Sequence, residues 1–69
     1  MFGICNLSSI PVRKNGDDKS EMISQLLYGD LYEVIEKKEK WVLIKINFDD
    51  YRGWIDNKQF SEIKSENHF

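Results

Sequence analysis

From Trp41 to Phe48 the chain reads WVLIKINF, with apolar residues at every second position. Val42, Ile44, Ile46 and Phe48 share one face, and Lys45 and Asn47 share the other. Such alternation in a run of β-branched and aromatic side chains predicts a half-buried strand. The preceding LYEVIE sets Tyr32 and Val34 against Glu33 and Glu36, while Leu31 and Ile35 make its second face partly apolar. It too reads as a strand. The charged KKEK between the two runs predicts a solvated turn, and hence an antiparallel hairpin. After Phe48, Asp49 and Asp50 suit a second turn, and YRGWI a short strand returning along the first. Gly53 inside that strand predicts a bulge or the close approach of another backbone.

Elsewhere the pattern is weaker. DNKQF, Asp56 to Phe60, is too short for an α-helix and predicts a single helical turn, with SEI adding a brief last strand. The polar tail KSENHF reads as frayed. In DDKSEMISQLL, Ser20 is a helix-capping type, and Met22, Ile23, Leu26 and Leu27 fit one helical face. The segment nevertheless runs straight into YGD within a strand-rich chain, which predicts a loop followed by a strand. GICNLSSIPVR reads as extended chain, confined by Pro11 to an edge or an irregular strand. Five or six short antiparallel strands left as an open sheet would expose long edges. The predicted fold is therefore all-β: a small, strongly bent barrel with one short helical turn.

Composition narrows the functional classes. A chain of 69 residues makes one domain. At 41% hydrophobic and 32% charged it is too apolar for a disordered tail and too broken by charge for a membrane span. The net charge is −2 with basic residues scattered, so it lacks the electrostatic footprint of a nucleic-acid binder. Cys5 is the single cysteine, which rules out an intramolecular disulfide and a multi-cysteine zinc site. The start MFGICNLSSIPVR has neither a basic leader nor a long apolar run. A cytoplasmic location is expected on that basis, or the cell envelope if an upstream segment has been removed.

Catalytic chemistry has little to work with. A thiolate nucleophile needs a positioned imidazole, and the only candidates, Cys5 and His68, stand at opposite ends of the chain. Cys5 reads as a small packing residue and the chain as non-catalytic. Asp49, Asp50 and Asp56 lack calcium-loop spacing, so no metal or other cofactor is expected. Among the aromatics, Tyr32 and Trp41 are expected in the core and Tyr28 and Tyr51 at the surface, while Trp54 suits either role.

Taken in order, IPVR, a polar loop, LLYGD, YEV, KWVLIKI and YRGWI resemble the bacterial SH3 domain over Gly3 to Ile63. The usual pattern is an Asn-Val-Arg-like start, a Gly-acid turn, a Trp-led strand and a Gly-Trp-aliphatic strand; Pro11 stands where asparagine is usual. FGICNLSSIPVR, SEMISQLLYGD and YRGWIDNKQF further resemble the N-terminal SH3-like domain of NlpC-type cysteine peptidases of Bacteroidetes-like bacteria. That resemblance implies an SH3-like domain over residues 1–63, with 64–69 a tail or the start of a linker to a C-terminal catalytic domain. It implies a peptidoglycan hydrolase that cuts the γ-D-glutamyl–diamino acid bond of stem peptides. The catalytic cysteine and histidines would lie in that other domain. By position, Asp30 and Tyr51 would receive the free amino end of the stem peptide, with Tyr28 and Trp54 as rim residues. An ammonium entering a partly desolvated pocket needs a carboxylate, and a tyrosine hydroxyl adds a hydrogen bond. Asp30 stands where glutamate is usual, one methylene shorter. The competing reading is a stand-alone module that binds an extended or proline-rich peptide across an aromatic groove.

Overall fold

A computed structural model describes residues 1–46 and 51–63. Its strands are β1 (Phe2–Ile4), β2 (Ser9–Arg13), β3 (Met22–Leu27), β4 (Leu31–Lys37), β5 (Trp41–Ile46), β6 (Tyr51–Asp56) and β7 (Glu62–Ile63), with a 3-10 turn over Asn57–Gln59. All pairings are antiparallel, in the order β3-β2-β6-β5-β4-β1-β7.

That order forces the sheet to curl. In a flat sheet β3 and β4 would lie four strand spacings apart, roughly 19 Å. Only Tyr28, Gly29 and Asp30 connect them, and the turn is closed by the Asp30 N–H donating to the Leu27 carbonyl at 2.9 Å. The ends of β3 and β4 therefore sit side by side, and the sheet wraps around one core. Gly29 has φ +90°, the region that the third residue of a type II turn requires. The chain behind it is pinned twice: the Gly29 N–H donates to the Cys5 carbonyl, and the Cys5 N–H to that of Asp30.

The core comes from the inner face of this wrapped sheet. Ile10, Val12, Leu26, Tyr32, Val42, Ile44, Ile46, Ile55 and Cys5 are buried, with Ile23, Val34 and Phe60 packed against them. The period-two reading of β5 holds: Val42, Ile44 and Ile46 point inward. Trp41 does not join them. It shares its face with Leu43 and Lys45 and is half-buried on the outer side, where Gly16 lies over its base.

Seven strands form among the described residues, against the five or six expected, because the front of the chain divides. Cys5–Ser8 breaks the expected extended run, leaving β1 beside β4 and β7, and β2 beside β3 and β6. Pro11 is tolerated because β2 meets β6 only through Arg13, and the register slips between Val12 and Arg13, as an irregular strand would. Met22–Leu27 is extended rather than helical. The Ser20 hydroxyl accepts the Asn15 N–H at 2.8 Å across the loop instead of capping a helix.

Gly53 marks a close approach rather than a bulge, since the β5–β6 register runs unbroken past it. A Cβ there would lie 2.4 Å from a Val12 methyl and 3.1 Å from the Arg13 carbonyl. The bulge falls on β4, where the register shifts between Val34 and Glu36 and leaves Ile35 over. The helical turn forms as expected, its start capped by the Asp56 carboxylate, which accepts the Lys58 N–H at 2.8 Å. Phe48, the turn expected at Asp49 and Asp50, and the expected frayed tail with His68 lie outside the described residues.

Candidate functional site

Asp30 and Tyr51 sit at one end of the β4–β5–β6 sheet. Tyr32 pairs with Ile46, and Ile46 with Tyr51, so Asp30 just precedes β4 while Tyr51 opens β6. Two strand spacings, roughly 10 Å, separate the Tyr32 and Tyr51 backbones, and Asp30 lies two residues before Tyr32. No hydrogen bond or ring contact joins Asp30 and Tyr51 among the described residues. Tyr51 shares the inward face of β6 with Gly53 and Ile55, at the margin where the core gives out, and is 41% exposed. Tyr28, beside Asp30 in the turn, is 75% exposed. Both tyrosines are thus at the surface, as the sequence implies.

Asp30 is half-buried as a residue, and its carboxylate already braces its own turn, because Oδ2 accepts the Leu27 N–H at 2.8 Å in an exposed hydrogen bond. Its other oxygen has no partner among the described residues. Trp54 stands apart. It lies three positions from Tyr51, hence on the opposite face of β6, across from Leu43 and Arg13. The Lys38 ammonium lies 5.3 Å from the centre of its ring. The structure therefore groups Asp30, Tyr28 and Tyr51 at one end and leaves Trp54 on the outer wall. An aromatic groove built from Tyr51 and Trp54 together does not exist.

Tyr32 supports this end from inside. Its ring fills the space where a Gly3 side chain would be, with atoms 2.4–2.7 Å from an added Cβ. Its hydroxyl accepts the Ser61 N–H at 3.3 Å. Burial pushes the Tyr32 phenol above its ordinary value, a rise that the Ser61 hydrogen bond opposes and the nearby Cys5 reinforces. Cys5 itself is buried, its thiol donating to the Leu7 carbonyl at 3.2 Å, in the packing role the sequence implies. Among the described residues no group of His, Cys, Asp and Glu could hold a metal ion, and no helix is long and apolar enough to cross a membrane.

The opposite end of the same sheet carries a feature that the hydrophobic pattern did not disclose. Trp41 pairs with Asp56 there, and the two share an open cleft of about 320 Å³. Asp18 from the β2–β3 loop forms one wall, Glu39 and Lys40 of the β4–β5 turn a second, and Asn57 and Lys58 a third. A smaller recess of about 130 Å³ continues past Trp41 to Pro11, Arg13 and Gln59. Trp41 across from Asp56 follows from the hairpin and was within reach of the sequence. Asp18 was not, because only the folded loop brings it there.

Comparison with known proteins gives one finding. The family model of the bacterial dipeptidyl-peptidase SH3 domain matches residues 12–60. No curated protein matches the chain.

Proposed function

The chain belongs to the family of bacterial dipeptidyl-peptidase SH3 domains, and we propose that it serves as the substrate-selecting, non-catalytic domain of a stem-peptide hydrolase. An enzyme that releases dipeptides must measure its cut from the amino end, so some part of it has to recognise a free ammonium group. In this reading Asp30 supplies the carboxylate and Tyr51 the hydroxyl. Asp30 is half-buried at the same sheet end as an exposed tyrosine, one carboxylate oxygen held by the turn and the other unengaged. That arrangement carries the proposal. It orients the acid without help from the ligand, and a fixed acceptor loses less freedom on binding.

The partner is an NlpC-type catalytic domain, which would close the pocket from the other side. The substrate is a stem peptide with a free N-terminal L-alanine, cut after γ-D-glutamate. Once the catalytic domain closes over it, a blocked amine would leave the Asp30 carboxylate desolvated and unpaired, so the domain selects against it.

The test compares kcat/KM of the hydrolase that carries this domain on free-amine and N-acetylated stem peptides. Asp30→Asn and Tyr51→Phe should each lower kcat/KM on the free-amine peptide, with Asp30→Asn losing about tenfold or more, as expected for a charge-assisted hydrogen bond. The ratio of rates on the two peptides should fall with it. Unchanged discrimination in both variants would remove these residues from the pocket.

A further inference from the structure

The cleft beside Trp41 lies at the other end of β5 from Tyr51, roughly 17 Å away along the strand. We propose that it is a second binding site, for a neutral saccharide whose ring stacks on the Trp41 indole. This second site is independent of the role given above to Asp30 and Tyr51.

The choice of ligand comes from the lining. Among the described residues the cleft and its recess hold three acids, Asp18, Glu39 and Asp56, against three bases, Arg13, Lys40 and Lys58. Their formal charges cancel, so neither a simple anion nor a simple cation is selected. Donors and acceptors instead face the same small space, which suits a ligand that offers both at many points. Hydroxyl groups do that. Trp41 is the single aromatic among the described residues of the lining, with Pro11 beside it. An apolar or proline-rich peptide needs a row of aromatic walls, which this cleft lacks. One flat indole bordered by carboxylate and amide groups is suited to a pyranose ring, whose C–H face packs on the indole while its hydroxyls point outward.

The polar groups are available. Among the described residues Asp18, Lys40 and Lys58 have no side-chain hydrogen bond or ion pair to the protein. The walls are nevertheless fixed. Arg13 donates from Nη1 to the Ser20 carbonyl at 3.0 Å, and Lys14 N–H to Glu21 at 2.9 Å, which together close the loop that presents Asp18. The Asn57 N–H donates to the Lys40 carbonyl at 2.9 Å, tying the helical turn to the β4–β5 turn. The Lys38 N–H in turn donates to the Trp41 carbonyl at 2.8 Å. A preformed small cleft with a few convergent polar groups and one apolar platform is what a compact ligand requires. Its volume lies at the small end of the range for ligand pockets, which favours a short oligosaccharide over a long chain.

The experiment is a titration of the ¹⁵N-labelled 69-residue chain with chitotriose, followed by amide and indole resonances. Saturable shifts are expected at the Trp41 indole N–H and at the Asn57 and Lys58 amides, with Gly29, Asp30 and Tyr51 unmoved. Trp41→Ala should abolish the response, but Gly16 packs on that ring and the variant can fail to fold. Asp18→Asn is therefore the second variant. It alters an exposed group without a partner among the described residues, and should weaken binding about three- to tenfold while the spectrum stays dispersed. Three results would overturn the proposal: a Trp41 resonance unmoved at millimolar chitotriose, an Asp18→Asn variant that binds as tightly as the parent, or shifts at Trp41 from a proline-rich peptide and none from the saccharide.

Discussion

The two ends of the β5–β6 ladder use similar residues in different ways. At one end Tyr51 faces Ile46 with Asp30 nearby; at the other Trp41 faces Asp56 with Asp18 nearby. Each end commits one carboxylate to its own backbone, Asp30 to the Leu27 N–H and Asp56 to the Lys58 N–H. Among the described residues the Trp41 end also has acids left over from such work, Asp18 and Glu39. The geometry differs too. Three separate connections converge around Trp41 and make a concavity, whereas among the described residues the Asp30 end presents a tight turn and a strand start. A rim of that kind becomes a pocket only against a second surface. On the two proposals made above, the Trp41 end would be a site that this chain completes by itself and the Asp30 end a site that it shares.

The sharpest way to break both ends at once is through the strand that links them. Gly53→Ala would push a methyl into buried Val12 and against the Arg13 carbonyl, at the place where β2 meets β6 through Arg13 and Trp54. Overpacking of this kind costs about 2–3 kcal/mol, or roughly 10–20 °C in melting temperature for a domain of this size. Thermal unfolding followed by circular dichroism measures it, and an unshifted midpoint would show that β2 can move aside freely.

A pair of glycine substitutions then separates the ends. Gly29→Ala puts a side chain at φ +90° in the turn that carries Asp30, with no atom within 4 Å to relieve or worsen it. The strain alone costs about 1–2 kcal/mol. Gly16→Ala meets the Trp41 side chain at 3.1–3.4 Å from an ordinary backbone conformation, so its effect is smaller and depends on how far the indole yields. Denaturant unfolding gives the first difference. The Trp41 indole N–H resonance should respond to Gly16→Ala and be insensitive to Gly29→Ala.

What the sequence disclosed follows from how local each feature is. Period-two alternation made β5 legible, and Val42, Ile44 and Ile46 point inward as that pattern requires. The YGD turn, the helical turn at Asn57–Gln59 and the exposure of Tyr28 and Tyr51 were likewise written in short runs. Trp41 was not: its size argued for the core, yet the same alternation that buries Val42 places it on the other face. The division at Cys5–Ser8 carried no glycine or proline to announce it, and Ile35 looked like one more strand residue rather than the spare residue of a bulge. Asp18 could not be assigned to a site at all, since its partners lie in two other turns far along the chain. The contact of Gly53 with Val12 was half legible, as a glycine that needed a reason.

Alkaline pH probes the Asp30 end from within. The Tyr32 phenol is raised in the folded state, so above the ordinary value of 10.0 the unfolded chain loses its proton first. Stability from this group is therefore intact below about pH 10 and falls as pH rises through the folded value. Tyr32→Phe should remove that part of the alkaline slope. At neutral pH it should cost about 1 kcal/mol, because the Ser61 N–H loses its acceptor. Unfolding free energies of both proteins between pH 7 and 11 test the sign, and parallel curves would assign the slope to other groups.

The smallest expected effect bears most directly on the comparison. Asp30→Ala removes the acceptor of the Leu27 N–H and should cost about 0.5–1 kcal/mol, much as loss of a helix cap does. Asp18→Ala touches no partner among the described residues and should stay within about 0.5 kcal/mol of the parent. Denaturant unfolding of the pair under one set of conditions asks whether one carboxylate is structural and the other free. Equal losses would mean that the two ends do not differ as the hydrogen bonds indicate. The answer also governs how activity data are read. A rate lost in Asp30→Ala mixes a loosened turn with a missing charge. In Asp30→Asn an oxygen can still accept from Leu27 while the charge is gone, so the same loss would then report the ammonium site itself.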